Sequence, residues 1–167
     1  MNQKFSVKTL VISAVLVALN IVITRLLSVN IGPVRIGLGF IPIAFGSMLF
    51  GTFWGMAISV VADVLGAVLS GTGYWPGFGL SAALYGVTYG LFLYRHEKSV
   101  KNITLCVVLQ AIIIDTLMGA LWYNVYAGMA FSAALIGRAI NAFAMIPVKI
   151  VLIRYLWRYI GVRVSNN

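Results

Sequence analysis

The chain reads as six long apolar runs separated by short gaps rich in glycine, proline or charge. The runs cover 6–28, 36–50, 53–69, 78–94, 103–126 and 131–159. A helix crosses the hydrocarbon of a bilayer in about 20 mostly apolar residues. Each run therefore predicts one membrane helix, the second short and the sixth longer than the bilayer is thick. Gly51 alone separates the second run from the third, which predicts a tight hairpin. Pro33 and Pro76 are expected in loops, where a missing backbone donor costs little. Pro42 and Pro147 fall inside apolar runs, and each is expected to kink its helix, as membrane helices tolerate.

Composition points the same way. Of 167 residues, 62% are hydrophobic and 9% charged, against roughly 25% charged in ordinary soluble domains. So few charges cannot make a polar skin, and a bilayer removes the need for one. The length suits one domain over 1–167 with short connections and no attached soluble module. The first run begins like a signal peptide. Its apolar part is long and no Ala-x-Ala cleavage site follows, so it is expected to remain as a span. The single cysteine, Cys106, lies in an apolar run, cannot form an internal disulfide and reads as a small hydrophobe.

Charge then sets orientation. The net charge is +9. The basic residues gather at the ends of runs and are not striped with aromatics, so they read as headgroup anchors rather than a nucleic-acid surface. With the amino terminus inside, Lys4, Lys8, Arg95, Lys98, Lys101, Arg154, Arg158 and Arg163 lie on the inner side. Arg25, Arg35 and Arg138 lie toward the outer side. That excess predicts both termini in the cytoplasm, in agreement with six crossings. The predicted fold is an all-α, multi-pass bundle of six transmembrane helices.

Several residues do not belong in lipid. Ionisable groups within membrane helices are expensive and face a cavity or a partner. Asp63, Asp115 and Arg138 stand out, with Arg25 near the outer end of the first run. Asn141 follows Arg138 by three residues and shares its helix face. One reading is a polar pocket opening outward, with Arg25, Arg35 or Arg138 offering charge to an anion and an aspartate accepting hydrogen bonds from ring N–H groups. The other is an internal Asp–Arg pair that locks helices together.

Aromatics crowd the same edge. Tyr74, Trp75 and Phe78 flank the glycine-rich gap at 70–77, and Trp122, Tyr123 and Tyr126 close the fifth run. They suit an interfacial belt or a stacking wall for a flat ring. Gly71, Gly73 and Gly77 favour ligand contact for the gap, because glycines let it fold tightly or move. Small residues recur four apart at Ala14 and Ala18, and again at Ala82, Gly86 and Gly90. Such spacing lets helices approach closely. The second set suits packing within the fold, and the first suits a partner membrane protein.

Absences narrow the function. There is no nucleotide-binding phosphate loop. One histidine, His96, and one cysteine make a zinc site improbable. No nucleophile set lies at membrane depth, so an intramembrane enzyme is not expected. Neither metal nor cofactor is called for.

The residues also resemble a known family. The second run and its turn read Ile36-Gly37-Leu38-Gly39-Phe40-Ile41-Pro42-Ile43, then Gly46, Met48-Leu49-Phe50-Gly51 and Gly55. Asp63-Val64-Leu65-Gly66 and Gly73-Tyr74-Trp75-Pro76-Gly77-Phe78-Gly79 follow. Over nearly its full length the chain resembles the substrate-binding S components of energy-coupling factor (ECF) vitamin transporters, the folate-specific members above all. It departs from their pattern at Trp75, where phenylalanine is expected, and at Gly79, where threonine is more usual.

The resemblance implies a non-enzymatic subunit in the plasma membrane of a prokaryote. Such a subunit captures a vitamin outside and delivers it inward by docking, through Ala14 and Ala18, on a transmembrane coupling subunit with two ATPase subunits. For folate it implies the glutamate tail near Arg25 or Arg35 at the mouth. The pterin would lie deeper, near Asp63, Arg138 or Asn141, and the benzoyl ring on the aromatics Tyr74, Trp75, Phe78, Trp122 and Tyr123. The same scaffold carrying pantothenate or another pterin-like compound, and a stand-alone proton-coupled carrier using Asp115, are the alternatives.

Overall fold

A computed structural model describes residues 6–26, 29–31, 34–71, 74–96 and 98–161; of 26, 29–31, 34–36, 160 and 161 only the backbone course is described. Six helices follow in order: α1 (Val7–Leu26), α2 (Phe40–Phe50), α3 (Thr52–Ser70), α4 (Pro76–Leu93), α5 (Val100–Ala127) and α6 (Phe131–Leu156). The last runs on as a π-helical turn, Trp157–Gly161. Four of these stretches are long and apolar enough to cross a membrane: Val7–Arg25, Thr52–Ser70, Val100–Ala127 and Phe131–Tyr159. The all-α membrane bundle expected from the sequence is the observed architecture.

The departures are local. The second apolar run does not begin as a helix at position 36. Instead β1 (Val29–Ile31) and β2 (Val34–Ile36) form a short antiparallel hairpin, and α2 starts at Phe40. Pro42 consequently lies in the first helical turn, where no backbone N–H is required, and it is not an interior kink site as predicted. Pro147 does lie inside α6. Pro76 is the first residue of α4 rather than a loop residue, because its fixed φ suits a helix start. Pro33 lies outside the described residues.

Glycine sets the tightest joints. Gly51, with φ of 89°, turns the chain directly from α2 into α3. Packing is most extensive between α3 and α4. There Gly86 meets the backbone of Gly55, and Gly90 meets that of Thr52, so closely that any Cβ would collide. Ser47 Oγ donates to the Gly86 carbonyl at 3.3 Å and Ser59 Oγ to that of Ala82 at 2.5 Å. The small residues of α4 thus face α3, as their spacing predicted.

A packed apolar core closes the bundle toward one end, and the other end is hollow. Met48, Tyr89, Leu93, Ile103, Cys106, Val107, Met145 and Ile153 form a buried apolar core where α2, α4, α5 and α6 converge near the amino-terminal end. That end also carries Lys8, Arg95, Lys98, Lys101, Arg154 and Arg158. Toward the opposite end the helices part. On α1, Ser13, Leu16 and Asn20 point inward, and Ala14 and Ala18 lie exposed on another face.

Candidate functional site

In the hollow half, three cavities share lining residues, and Thr24 of α1 borders each of the three. The outermost, of about 410 Å³, lies between α1, α3 and α4 and is walled by Asn20, Arg25, Asp63, Tyr74, Trp75 and Phe78 among others. The central one, of about 440 Å³, shares Asn20, Asp63 and Phe78 and adds Tyr85, Tyr123 and Arg138. The innermost, of about 260 Å³, keeps Tyr85 and Arg138 and ends on Asp115, Asn141 and Lys149. Together they make one elongated recess leading from the hollow end toward mid-bundle.

Its aromatic wall is built by glycine. Gly77 and Gly79 lie in the first turn of α4. A Cβ at Gly77 would overlap the indole of Trp75, and one at Gly79 would overlap the hydroxyl of Tyr74. Their absent side chains let both rings fold back against the helix start. Gly79 therefore exchanges the threonine hydroxyl of the family pattern for room that Tyr74 fills. Trp75 then meets Phe78 at 5.6 Å, Trp122 at 5.0 Å and Tyr126 at 6.0 Å between ring centres. Phe78 also meets Tyr123 at 6.1 Å. Edge-to-face contacts of this kind hold rings in fixed orientations. Trp122 does not line the recess; it backs Trp75 and donates its indole N–H to Ser81 Oγ at 2.9 Å.

The charged groups differ in how they are partnered. Asp63 is half-buried and makes no hydrogen bond or ion pair among the described residues. Arg25 donates to the carbonyl of Gly66, tying α1 to α3, and no carboxylate pairs with it among the described residues. The Arg138 guanidinium lies 4.1 Å from the ring centre of Tyr123, with no carboxylate bound to it among the described residues. Asn141 lies on the same wall of the innermost cavity. The side chain of Arg35 lies outside the described residues.

Asp115 behaves otherwise. Its Oδ2 accepts from Lys149 Nζ at 3.0 Å, and its Oδ1 accepts from the hydroxyl of Tyr85. Lys149 is almost fully buried. The expected Asp–Arg lock is thus an Asp–Lys lock. Around Asp115 the helix widens: Gln110–Met118 is π-helical, and Thr116 Oγ donates to the Ala111 carbonyl at 2.7 Å. Such widened turns occur often at functional sites. Sequence reasoning passed over four members of the recess, namely Asn20, Thr24, Tyr85 and Lys149. A signal existed for Asn20 and Thr24, polar residues four apart in an apolar run and hence on one face. Asn20 donates to the Gly39 carbonyl, joining α1 to the start of α2.

A membrane bundle closed at one end and hollowed at the other, lined by fixed rings and by Asp63, Arg25 and Arg138, none of which has an ion-pair partner among the described residues, is built as a receptor for a small solute. Residues 8–156 match the family described as ECF transporter, substrate-specific component, and the chain belongs to that family. It is a multi-pass membrane subunit of transporter type, not an enzyme.

Two relatives are named folate transporter FolT. That of Clostridium novyi (strain NT) is 33% identical over 155 residues, covering 92% of this chain and 90% of the relative. That of Leuconostoc mesenteroides subsp. mesenteroides is 25% identical over 154 residues, covering 88% and 83%. A crystal structure of FolT bound with folic acid superposes with a TM-score of 0.82 at 30% identity, over 90% of this chain and 93% of that one.

Proposed function

We propose that this chain is a folate-binding S component. In this reading it captures the vitamin from outside a prokaryotic cell and hands it inward with a coupling subunit and two ATPases. The observation that carries the proposal is the recess itself. An elongated space with a rigid aromatic wall, an unpaired carboxylate and uncompensated arginines suits a ligand with a flat hydrogen-bonding ring at one end and carboxylates at the other. The relatives named for folate, and the folic acid in the similar structure, support that choice.

Asp63 accepts from the pterin N–H groups, and Trp75 and Phe78 flank the rings. Arg25 or Arg35 meets the glutamate tail at the mouth, and Arg138 and Asn141 line the deeper part. Arginine is the natural partner of a carboxylate. The exposed Ala14–Ala18 face is the docking surface, since small residues admit a second helix closely. The basic end faces the cytoplasm, which puts the mouth outside. The whole chain acts as one domain. Asp115 is held by Lys149 and Tyr85, which argues against a free proton carrier at that position.

Titration of the purified protein with folate is expected to quench its tryptophan fluorescence saturably, because Trp75 lines the recess. Losing a buried hydrogen-bond partner costs about 1–3 kcal/mol. Asp63→Ala and Arg138→Ala are therefore each expected to weaken binding about 5- to 150-fold. No saturable quenching, or unchanged affinity in both variants, overturns the assignment.

A further inference from the structure

A second cavity lies at the other, sealed end of the bundle, remote from the recess. It measures about 450 Å³ and sits where α1, the α2–α3 turn, the α4–α5 connection and the end of α6 meet. Its lining divides by chemistry. The rim carries Lys8, Arg95 and Lys98, and the inner wall is the apolar side of Ile12, Met48 and Phe50. Among the described residues, no carboxylate touches these cations. The neighbouring Glu97 lies outside the described residues, and it can neutralise one cation at most.

Two details set this rim apart from ordinary headgroup anchors. Lys98 Nζ lies 4.2 Å from the ring centre of Trp157, held over an aromatic face. Burial lowers its pKa from the usual lysine value by stripping hydration from the ammonium. Arg95 has φ of 59°, the one positive value at a non-glycine among the described residues. A side chain costs energy in that conformation, and such strain collects at ligand clamps. Its guanidinium lies 5.2 Å from the ring centre of Tyr94, beside the same cavity.

We propose that this cavity is a binding site for an anionic phospholipid. The phosphate is held by Lys8, Arg95 and Lys98, and the upper acyl chain lies on Ile12, Met48 and Phe50. A cationic rim above an apolar wall, at the level where the helices end, complements an amphiphile with a charged head. Basic pockets between membrane helices take acidic headgroups in this way. A free phosphate would use the rim and leave the apolar wall unfilled. The site touches four parts of the bundle, so a lipid there would also brace its sealed end.

The test is native mass spectrometry of the purified full chain with dioleoyl-phosphatidylglycerol or dioleoyl-phosphatidylcholine added. The wild type is expected to retain the anionic lipid at least tenfold better. Combined Lys8→Ala, Arg95→Ala and Lys98→Ala is expected to bring the ratio to near one. Lys8→Arg with Lys98→Arg should keep it, which guards against loss through misfolding. Arg95→Gly relieves the strained backbone and removes a cation, so it should raise the melting temperature in neutral detergent while lowering the lipid preference. Equal retention of both lipids by the wild type, or a preference unchanged in the triple variant, overturns the proposal. Displacement of the lipid by millimolar inorganic phosphate reassigns the rim to a free anion and also overturns it.

Discussion

Asp115 and Lys149 are opposite charges in the middle of a membrane bundle, and each depends on the other. Breaking a buried pair from one side leaves an uncompensated charge at a cost of about 3–5 kcal/mol, whereas replacing both partners by apolar groups is often neutral. Asp115→Leu and Lys149→Met alone are therefore expected to lower the melting temperature sharply, and the double variant to recover most of the loss. Thermal unfolding of the four proteins in one detergent measures this, and additive losses would refute the coupling. Such residues differ in how legible they are. Asp63 and Arg138 announce themselves as charges in apolar runs, and both line the recess. Lys149 carries the same signal, a charge well inside an apolar run, but the sequence reading passed over it. Only the fold turns it inward onto a residue 34 positions away.

At the scale of elements, the apolar runs located the helices because about 20 lipophilic residues have few other uses. The ends were less legible. Gly37 and Gly39 marked the opening of α2, whereas the hairpin signal of Val29-Asn30-Ile31 and Val34-Arg35-Ile36 about Gly32-Pro33 was passed over. The π-helical stretch of α5, Gln110–Met118, was not read from the sequence either. The α3–α4 contact was legible, because spacing by four of Ala82, Gly86 and Gly90 has a direct steric meaning. Gly86→Ala places a methyl group against the backbone of Gly55, which cannot move aside as a side chain could. Overpacking of this kind costs about 1–3 kcal/mol. A lowered melting temperature with unchanged helical circular dichroism is the expected result, and an unaltered melting temperature would refute the contact.

For the molecule as a whole, the distribution of basic residues predicts which end faces the cytoplasm. In a Cys106→Ala background, Met129→Cys should react with a membrane-impermeant maleimide on intact cells, and Lys101→Cys should react only after lysis. The reverse pattern would invert the orientation and put the recess inside. One feature of the bundle bears on how transport can occur. The eleven residues of α2 are about 16 Å long, roughly half the 30 Å of hydrocarbon in a bilayer. The well above them stops at a floor of packed Tyr89, Leu93, Ile103 and Val107. A passenger at the bottom of that well has gone partway and meets a stopper instead of a tunnel. Under the proposed function the remaining distance is covered by shifting the vessel, and vesicles holding this protein alone should keep their ion gradients.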